Sequence, residues 1–412
     1  MLHLREYEIS RVALTDREAG ELAQLTRGSA GRRDKPRVIQ QVLPSGKPGL
    51  FDVQPGPYVG RFTLGSGRTV DIASRFPFAD FRELLRLAAR QPVLLRDTAA
   101  AGSGSRGLVD LIATAFARET ERLVGFGLAK EYQSRTFTRP PYPGAPDVTA
   151  HLAKYLGRPD RLVTKAKRLT QDILLNQTIA AAHRVLIQQH YPDPALSARL
   201  RALGPCFTSI SRVADPQRLM QRRPTSVPPR YREAYALALL VLAGQTVLPY
   251  ASGASGVTVL FNMTKVWETY VGHWLAKQLP AGQRISAQHP VVLTDDSQPM
   301  VANADFVILD EQHKPVAVYD AKYRHWQAKP KADELYQLST YAHRLRVQRA
   351  ALLYPGHDGQ DSHVTVGDLR LATIGVPVLS STLPAARIHA ATPAETSVPS
   401  RQIGPSESAH HT

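Results

Sequence analysis

The stretch that decides the fold runs Met300-Val301-Ala302-Asn303-Ala304-Asp305-Phe306-Val307-Ile308-Leu309, then Asp310 to Lys314, then Pro315-Val316-Ala317-Val318-Tyr319-Asp320-Ala321-Lys322-Tyr323. Two apolar runs flank a short polar connection, which predicts a strand, a turn and a second strand. Side chains two apart on a strand share a face, so Asp320 and Lys322 project together. Folding the hairpin back brings Asp305 beside them. Two carboxylates so placed can hold a hard divalent cation through oxygen, normally magnesium with several waters retained. The lysine can orient a nucleophile and offset developing charge. The bland reading is a surface ion pair at a strand end, worth little. With 35 acids and 12 lysines in 412 positions, about one acid-x-Lys triplet is expected by chance, and one occurs. The triplet alone is therefore weak, and its setting carries the weight.

Upstream, Asn262-Met263-Thr264-Lys265-Val266-Trp267-Glu268-Thr269-Tyr270-Val271-Gly272-His273-Trp274-Leu275 predicts an amphipathic helix. Met263, Val266, Trp267, Tyr270, Val271, Trp274 and Leu275 make its apolar stripe. Glu268 lies at the edge, where a carboxylate could reach a neighbouring sheet as a further metal ligand; a solvated helix glutamate is the other reading. Downstream, Asp333 to Ala342 predicts a second helix, with Gln337 and Tyr341 one turn apart on one face. Ala350-Ala351-Leu352-Leu353-Tyr354-Pro355 reads as a third strand.

Further out, residues 1–95 read as β-rich. The best hairpin is Tyr58-Val59-Gly60-Arg61-Phe62-Thr63-Leu64, Gly65-Ser66-Gly67, Arg68-Thr69-Val70-Asp71-Ile72. Leu2, Leu4 and Ile9 lie in an extended opening, Arg37 to Leu43 is a further strand, and Asp80 to Ala89 turns helical. Residues 96–256 read as a helical, Arg-rich middle domain. Leu108, Leu111, Ile112, Ala115, Phe116, Leu123 and Val124 follow the helical period, as do Ile173, Leu174, Ile179, Ala182, Val185 and Leu186, and Tyr235 to Val247 is apolar enough for a buried helix. Residues 257–380 alternate helix and strand. Residues 381–412, rich in Ser, Thr, Ala, Pro and His without a period, predict a disordered tail. The fold class expected is thus α+β multidomain.

Composition closes off several classes. A lone cysteine, Cys206, supports neither an internal disulfide nor a thiolate metal site, and 43% apolar residues exclude a wholly disordered chain. No apolar run is long enough for a bilayer and no secretory signal opens the chain, so a cytoplasmic protein is expected. The formal charge of +16 comes from 51 basic residues, 39 of them arginine. Genome composition accounts for some of that bias, but not for its clustering. Eight arginines fall between Arg199 and Arg232, including Arg218, Arg222 and Arg223, and Lys154, Arg158, Arg161, Lys165, Lys167 and Arg168 form a second group. Such density is the electrostatic footprint of a nucleic-acid partner. Gly102-Ser103-Gly104-Ser105-Arg106-Gly107 spells a dinucleotide-binding pattern, but no second strand follows on schedule and an inter-domain linker fits better.

Helix, strand, strand, helix, strand with these acids and this lysine resembles the PD-(D/E)xK nuclease core. More fully, the chain resembles the McrC-like nuclease subunits of modification-dependent restriction systems over most of residues 1–380. The likeness takes in the Tyr58 hairpin, the Asp172-Ile173-Leu174-Leu175-Asn176 helix, Asn262-Met263 with Trp267-Glu268, Ala304-Asp305, Asp320-Ala321-Lys322-Tyr323, and Tyr336-Gln337 with Tyr341-Ala342. Ala304 stands where proline is common in the family, which is tolerable because only the acid ligates, and Trp267 where phenylalanine is usual, a conservative change in bulk; neither puts the metal site in doubt. The resemblance implies that Glu268, Asp305 and Asp320, with the Ala321 carbonyl, bind Mg2+. It implies that Lys322 positions the attacking water and that Gln337 supports the substrate or the lysine. It further implies an N-terminal region docking onto a separately encoded, McrB-like AAA+ GTPase ring, stimulation of that ring, and cutting of modified, for example methylcytosine-containing, double-stranded DNA. The chain itself carries no Walker A sequence. Arg158, Arg161, Lys165, Lys167, Arg168, Arg218, Arg222 and Arg223 would hold DNA phosphates without reading bases. A non-cleaving DNA-binding adaptor of an AAA+ motor and a stand-alone PD-(D/E)xK repair nuclease are the other readings.

Overall fold

The computed structural model describes residues 1–26, 37–76, 107–244 and 258–378, apart from positions 159, 216, 223 and 358. The expected helix over 80–89, the glycine-rich 102–106 segment and the tail over 381–412 lie outside the described residues. The chain divides into two compact units, Met1–Tyr270 and Val271–Thr412. Its architecture is α+β, with an N-terminal β-rich region, a central helical region and a C-terminal β-sheet domain.

In the first unit, β1 (Leu2–Arg5), β2 (Ser10–Ala13), α1 (Asp16–Gln24), β3 (Ile39–Pro44), β4 (Leu50–Pro55), β5 (Tyr58–Thr63) and β6 (Thr69–Ala73) form the β-rich region. The expected hairpin is present: β5 and β6 pair antiparallel from Gly60↔Ile72 to Thr63↔Thr69, closed by the Gly67 N–H on the Leu64 carbonyl. Sheet order is β1-β6-β5-β10, where β10 is the distant strand Val259–Asn262. Gly60 makes that closure possible. Its φ is +134°, and a Cβ there would sit 2.1 Å from the Val259 carbonyl oxygen. A second sheet, β2-β4-β3, packs with it around Leu4, Leu22, Ile39, Val53, Phe62, Val70 and Ile72.

The central region holds α2 (Leu108–Gly125), α3 (Val148–Tyr155), α4 (Leu174–Leu186), α5 (Pro194–Ala202), α6 (Gln217–Gln221) and α7 (Arg232–Ala243). The apolar stripes of α2 and α4 pack on α7, whose Tyr235, Leu237 and Val241 are buried. Asn176 ties this packing together, donating to the Ala129 and Gln171 carbonyls and accepting from the Tyr231 hydroxyl at 2.7 Å. The region is not wholly helical. β7 (Glu131–Phe137), β8 (Ala145–Pro146) and β9 (Thr164–Thr170) form a three-stranded sheet, order β7-β9-β8. Arg61, 0% exposed, joins the two regions: it pairs with Asp71 of β6 at 3.1 Å and with Asp110 of α2 at 2.8 Å, and donates to the His190 carbonyl.

The helix α8 (Met263–Gln278) runs across the boundary between the units. In the second unit a six-stranded sheet has the order β11-β12-β13-β14-β16-β15. Its strands are β11 (Arg284–Val292), β12 (Val301–Leu309), β13 (Pro315–Ala321), β14 (Arg349–Gly356), β15 (Asp361–Val366) and β16 (Leu369–Pro377). The first three are antiparallel neighbours, while β13, β14 and β16 run parallel. The crossover from β13 to β14 is α9 (Ala332–Leu345), which opens with the Lys331 N–H on the Glu334 carboxylate and stops at Arg346, whose φ is +55°. Leu338, Tyr341 and Ala342 of α9 pack on Val307, Val318, Ala350 and Leu352 of the sheet. β14 is buried along nearly its whole length, as a central parallel strand demands. The result is a helix packed mainly over β13 and β14.

Candidate functional site

The β12–β13 pairing runs Ile308↔Ala317, Val307↔Val318 and Phe306↔Tyr319, and Asp305 and Asp320 are the next residues along the two strands. Cross-strand neighbours share a face, and this face looks toward α9. Asp305 Oδ2 accepts the Ala321 N–H at 2.9 Å, and Asp305 Oδ1 accepts the Gln288 amide at 3.1 Å. Lys322, held just past β13 by its N–H on the Leu353 carbonyl, brings Nζ to 2.7 Å from Asp320 Oδ2. Asp320 Oδ2 is buried, with this ammonium as its charge partner. Lys322 Nζ also donates to Gln337 Oε1 at 3.3 Å; Gln337 donates onward to the Tyr341 hydroxyl, and Tyr341 to the Asn303 carbonyl. One helix face therefore orients the ammonium from above while the strand pair holds the acids below.

Burial sets the electrostatics. The Asp320 side chain is 7% exposed and that of Lys322 22%. Burial, reinforced by the Asp320 charge and opposed by the Ala321 N–H, Lys322 and Gln288, pushes the Asp305 carboxyl up to about 6. For Lys322, burial pulls the ammonium down, but Asp320, Glu334 and Asp305 together outweigh it and raise it. A second charged group adjoins the first. Arg324 bonds the Glu334 carboxylate, lies over the Tyr354 ring at 5.2 Å, and shares Glu334 with the Tyr354 hydroxyl.

Of the residues singled out in the sequence, Asp305, Asp320, Ala321, Lys322 and Gln337 come together in the second unit. Glu268 sits half-buried on α8 in the first. Among the described residues no group of three or more His, Cys, Asp or Glu side chains is gathered as a metal cluster. The basic residues are spread over the central region. Lys165, Lys167 and Arg168 lie exposed on β9, with Arg168 over the Phe137 ring at 5.1 Å. Arg158 and Arg161 both pair with Asp160, and Arg218 pairs with Asp215 at 3.5 Å. Arg222 is exposed, and Arg223 falls outside the described residues. Sequence reasoning missed Gln288, Arg324, Glu334 and Tyr354. Glu334 could have been found, because it precedes Gln337 by one turn on the same helix face. Gln288 gave no comparable signal.

A mixed sheet that sets two carboxylates and a lysine beneath a helix defines the class: an α/β unit carrying an acid–acid–lysine site, with one acid in the middle of β12 and the other acid and the lysine at the end of β13. Residues 53–355 match the family described as McrBC 5-methylcytosine restriction system component, and the chain belongs to that family. A chain of the refined half-complex from the tetradecameric assembly of Thermococcus gammatolerans McrB AAA+ hexamers with bound McrC is similar in fold. The TM-score is 0.61 at 16% identity, covering 93% of this chain and 97% of that one. A chain from the cryo-EM structure of the Thermococcus gammatolerans McrBC complex gives a TM-score of 0.44 at 17% identity, over 68% of this chain and 88% of that one. No curated protein matches the sequence. No helix among the described residues is long and apolar enough to cross a membrane.

Proposed function

We propose that this chain is the endonuclease subunit of a motor-dependent restriction system, with a PD-(D/E)xK-type site. It hydrolyses the phosphodiester backbone of modified double-stranded DNA with magnesium, and works with a separately encoded AAA+ GTPase ring that it stimulates. The observation that carries the reading is the opposition of Asp305 and Asp320 across β12 and β13 with Lys322 Nζ 2.7 Å from Asp320. Family membership and the fold shared with a chain of an McrB–McrC assembly support the partner.

The residues fit a hard divalent cation. The Asp320 carboxylate is buried against the Lys322 ammonium, and burial, together with the facing Asp320 charge, leaves Asp305 with an elevated affinity for a proton that a cation would replace. Magnesium commonly takes only one or two protein carboxylates and keeps waters, so the pair suffices as a core. Asp305, Asp320 and the Ala321 carbonyl of the second unit would hold it. When bound, such an ion supplies Lewis-acid stabilisation of charge on the phosphate. The rest falls to the chain. The Ala321 N–H and the Gln288 amide hold the Asp305 carboxylate in orientation. Gln337 holds the Lys322 ammonium toward Asp320, where it orients the attacking water and offsets charge developing on the phosphoryl oxygens. The exposed Lys165, Lys167 and Arg168 bind backbone phosphates.

Asp320→Asn and Lys322→Ala test the reading. Each is expected to abolish cleavage of modified plasmid by the reconstituted pair while leaving stimulation of the partner's nucleotide hydrolysis intact. Undiminished cutting by both variants discards the assignment. Absence of cutting by the unaltered pair favours a non-cleaving adaptor, and cutting without partner or nucleotide favours a stand-alone nuclease.

A further inference from the structure

Gln288 stands out in the second unit. Its φ is +50°, in the left-handed region that non-glycine residues enter at a cost of about 1 kcal/mol or more. Three other non-glycine residues among those described share a positive φ: Tyr7 and His313, both in turns, and Arg346, which caps α9. Turn and cap geometry account for those three. Gln288 lies inside a strand, and the β11–β12 register continues unbroken on either side of it, Ala287↔Phe306 before and His289↔Ala304 after. The inversion therefore does not absorb an inserted residue. It delivers an exposed side chain to the Asp305 carboxylate: Gln288 Nε2 donates to Asp305 Oδ1 at 3.1 Å while the Ala321 N–H takes Oδ2.

We propose that Gln288 is a positioning residue, its backbone held in the left-handed region so that its amide fixes the Asp305 carboxylate for divalent-cation binding. With one donor on each oxygen the carboxylate cannot rotate, and each oxygen keeps a lone pair for a cation. Outer partners of this kind hold ligands in register, and losing one typically weakens metal affinity about 10- to 100-fold. A competing origin for the backbone inversion is local: Ser286 Oγ and His289 Nδ1 lie 2.9 Å apart across the same residue. On that account the Gln288 side chain is incidental.

The inference rests on the cation-binding reading of Asp305, and one titration series separates the two. Mn2+ binding to the full chain is measured by calorimetry, without DNA or nucleotide, for the wild type, Gln288→Gly, Gln288→Asn and Asp305→Asn. Gly adopts the inverted backbone freely and Asn tolerates it, but neither side chain reaches Asp305. Both variants are expected to keep or raise the unfolding midpoint while weakening Mn2+ binding by about tenfold or more. Gln288→Gly binding within twofold of wild type, or a lowered midpoint, overturns the positioning role. A wild type that binds no Mn2+, or an Asp305→Asn variant that binds as well as wild type, overturns the cation reading beneath it.

Discussion

Replacing Asp305 by asparagine should stabilise the protein, and by an amount that depends on pH. The Asp305 carboxyl is pushed up to about 6, first by burial and then by the facing charge of Asp320. An unfolded aspartate titrates near 3.9, so the difference is worth about 3 kcal/mol as a ceiling. A group whose pKa rises on folding binds its proton more tightly when folded. The stabilisation is complete below about pH 4, where both states are protonated, and is lost as pH climbs through 6 and the folded chain must hold two facing carboxylates. Asparagine is neutral throughout and can still accept the Ala321 N–H, while the Gln288 amide turns over to meet the new NH2. Between pH 4 and 8 the Asp305→Asn variant should therefore show a flatter stability profile, and at pH 8 it should exceed the wild type by about 2–3 kcal/mol. Urea unfolding of the full chain at pH 4.5, 6 and 8, followed by tryptophan fluorescence, measures both. Adding Mg2+ at pH 8 should raise the wild type and leave the variant unmoved, since a ligand stabilises only the state that binds it. Superimposable pH profiles for the two proteins would refute the reasoning, because Asp305 would then feel no cost from its neighbour.

The basic strand and the buried network make two further predictions. Lys165→Glu with Lys167→Glu should leave the unfolding midpoint in place, both side chains being exposed on β9. Measured by fluorescence anisotropy over a salt series, it should weaken DNA binding and lower the slope of log affinity against log salt by about two. Arg61→Leu leaves Asp71 and Asp110 buried without their cation and should cost about 3–5 kcal/mol in thermal unfolding. Adding Asp71→Asn and Asp110→Asn should recover much of that loss.

The parts of this fold that announce themselves are those where one periodicity decides burial. The 300–323 hairpin is two apolar runs about a polar turn; Asp320 and Lys322 share a face because strand side chains repeat every two residues, and the strand pairing brings Asp305 beside them. The stripes of α2 and α4 follow the helical period and are buried accordingly, and α7 is apolar and buried nearly all round. β7 and β9 carry almost no apolar face: Tyr132 and Leu169 point to solvent and most neighbours are polar, so a helical middle region was the natural expectation. β11 hides for a related reason. It is an edge strand with exposed Gln288 and with Pro290 inside it, and neither residue predicts a strand. Hence the acids and the lysine are legible, and the amide that touches one of them is not. The return of β10 to the side of β5, some 200 residues later, depends on the bare Cα of Gly60, and local pattern carries no trace of that pairing.

On the proposed nuclease reading, charge counting makes the lysine and the helix amide as important as the acids. Above about pH 6 the second unit's site holds two carboxylates and one ammonium, with Arg324 and Glu334 cancelling each other beside them. The sum is minus one. A bare site of that sign repels a phosphodiester, which also carries minus one, and it does so at low effective dielectric. With a divalent cation bound the sum becomes plus one, and a phosphodiester then brings the site to neutrality. Removing Lys322 leaves the loaded site at zero before substrate arrives and takes away the one positive group the chain itself contributes beside Asp320. Removing Gln337 leaves the count unchanged and frees the ammonium to turn toward solvent. Lys322→Ala should therefore cost both substrate affinity and turnover, whereas Gln337→Ala should lower turnover with little effect on affinity, because it alters orientation and not charge.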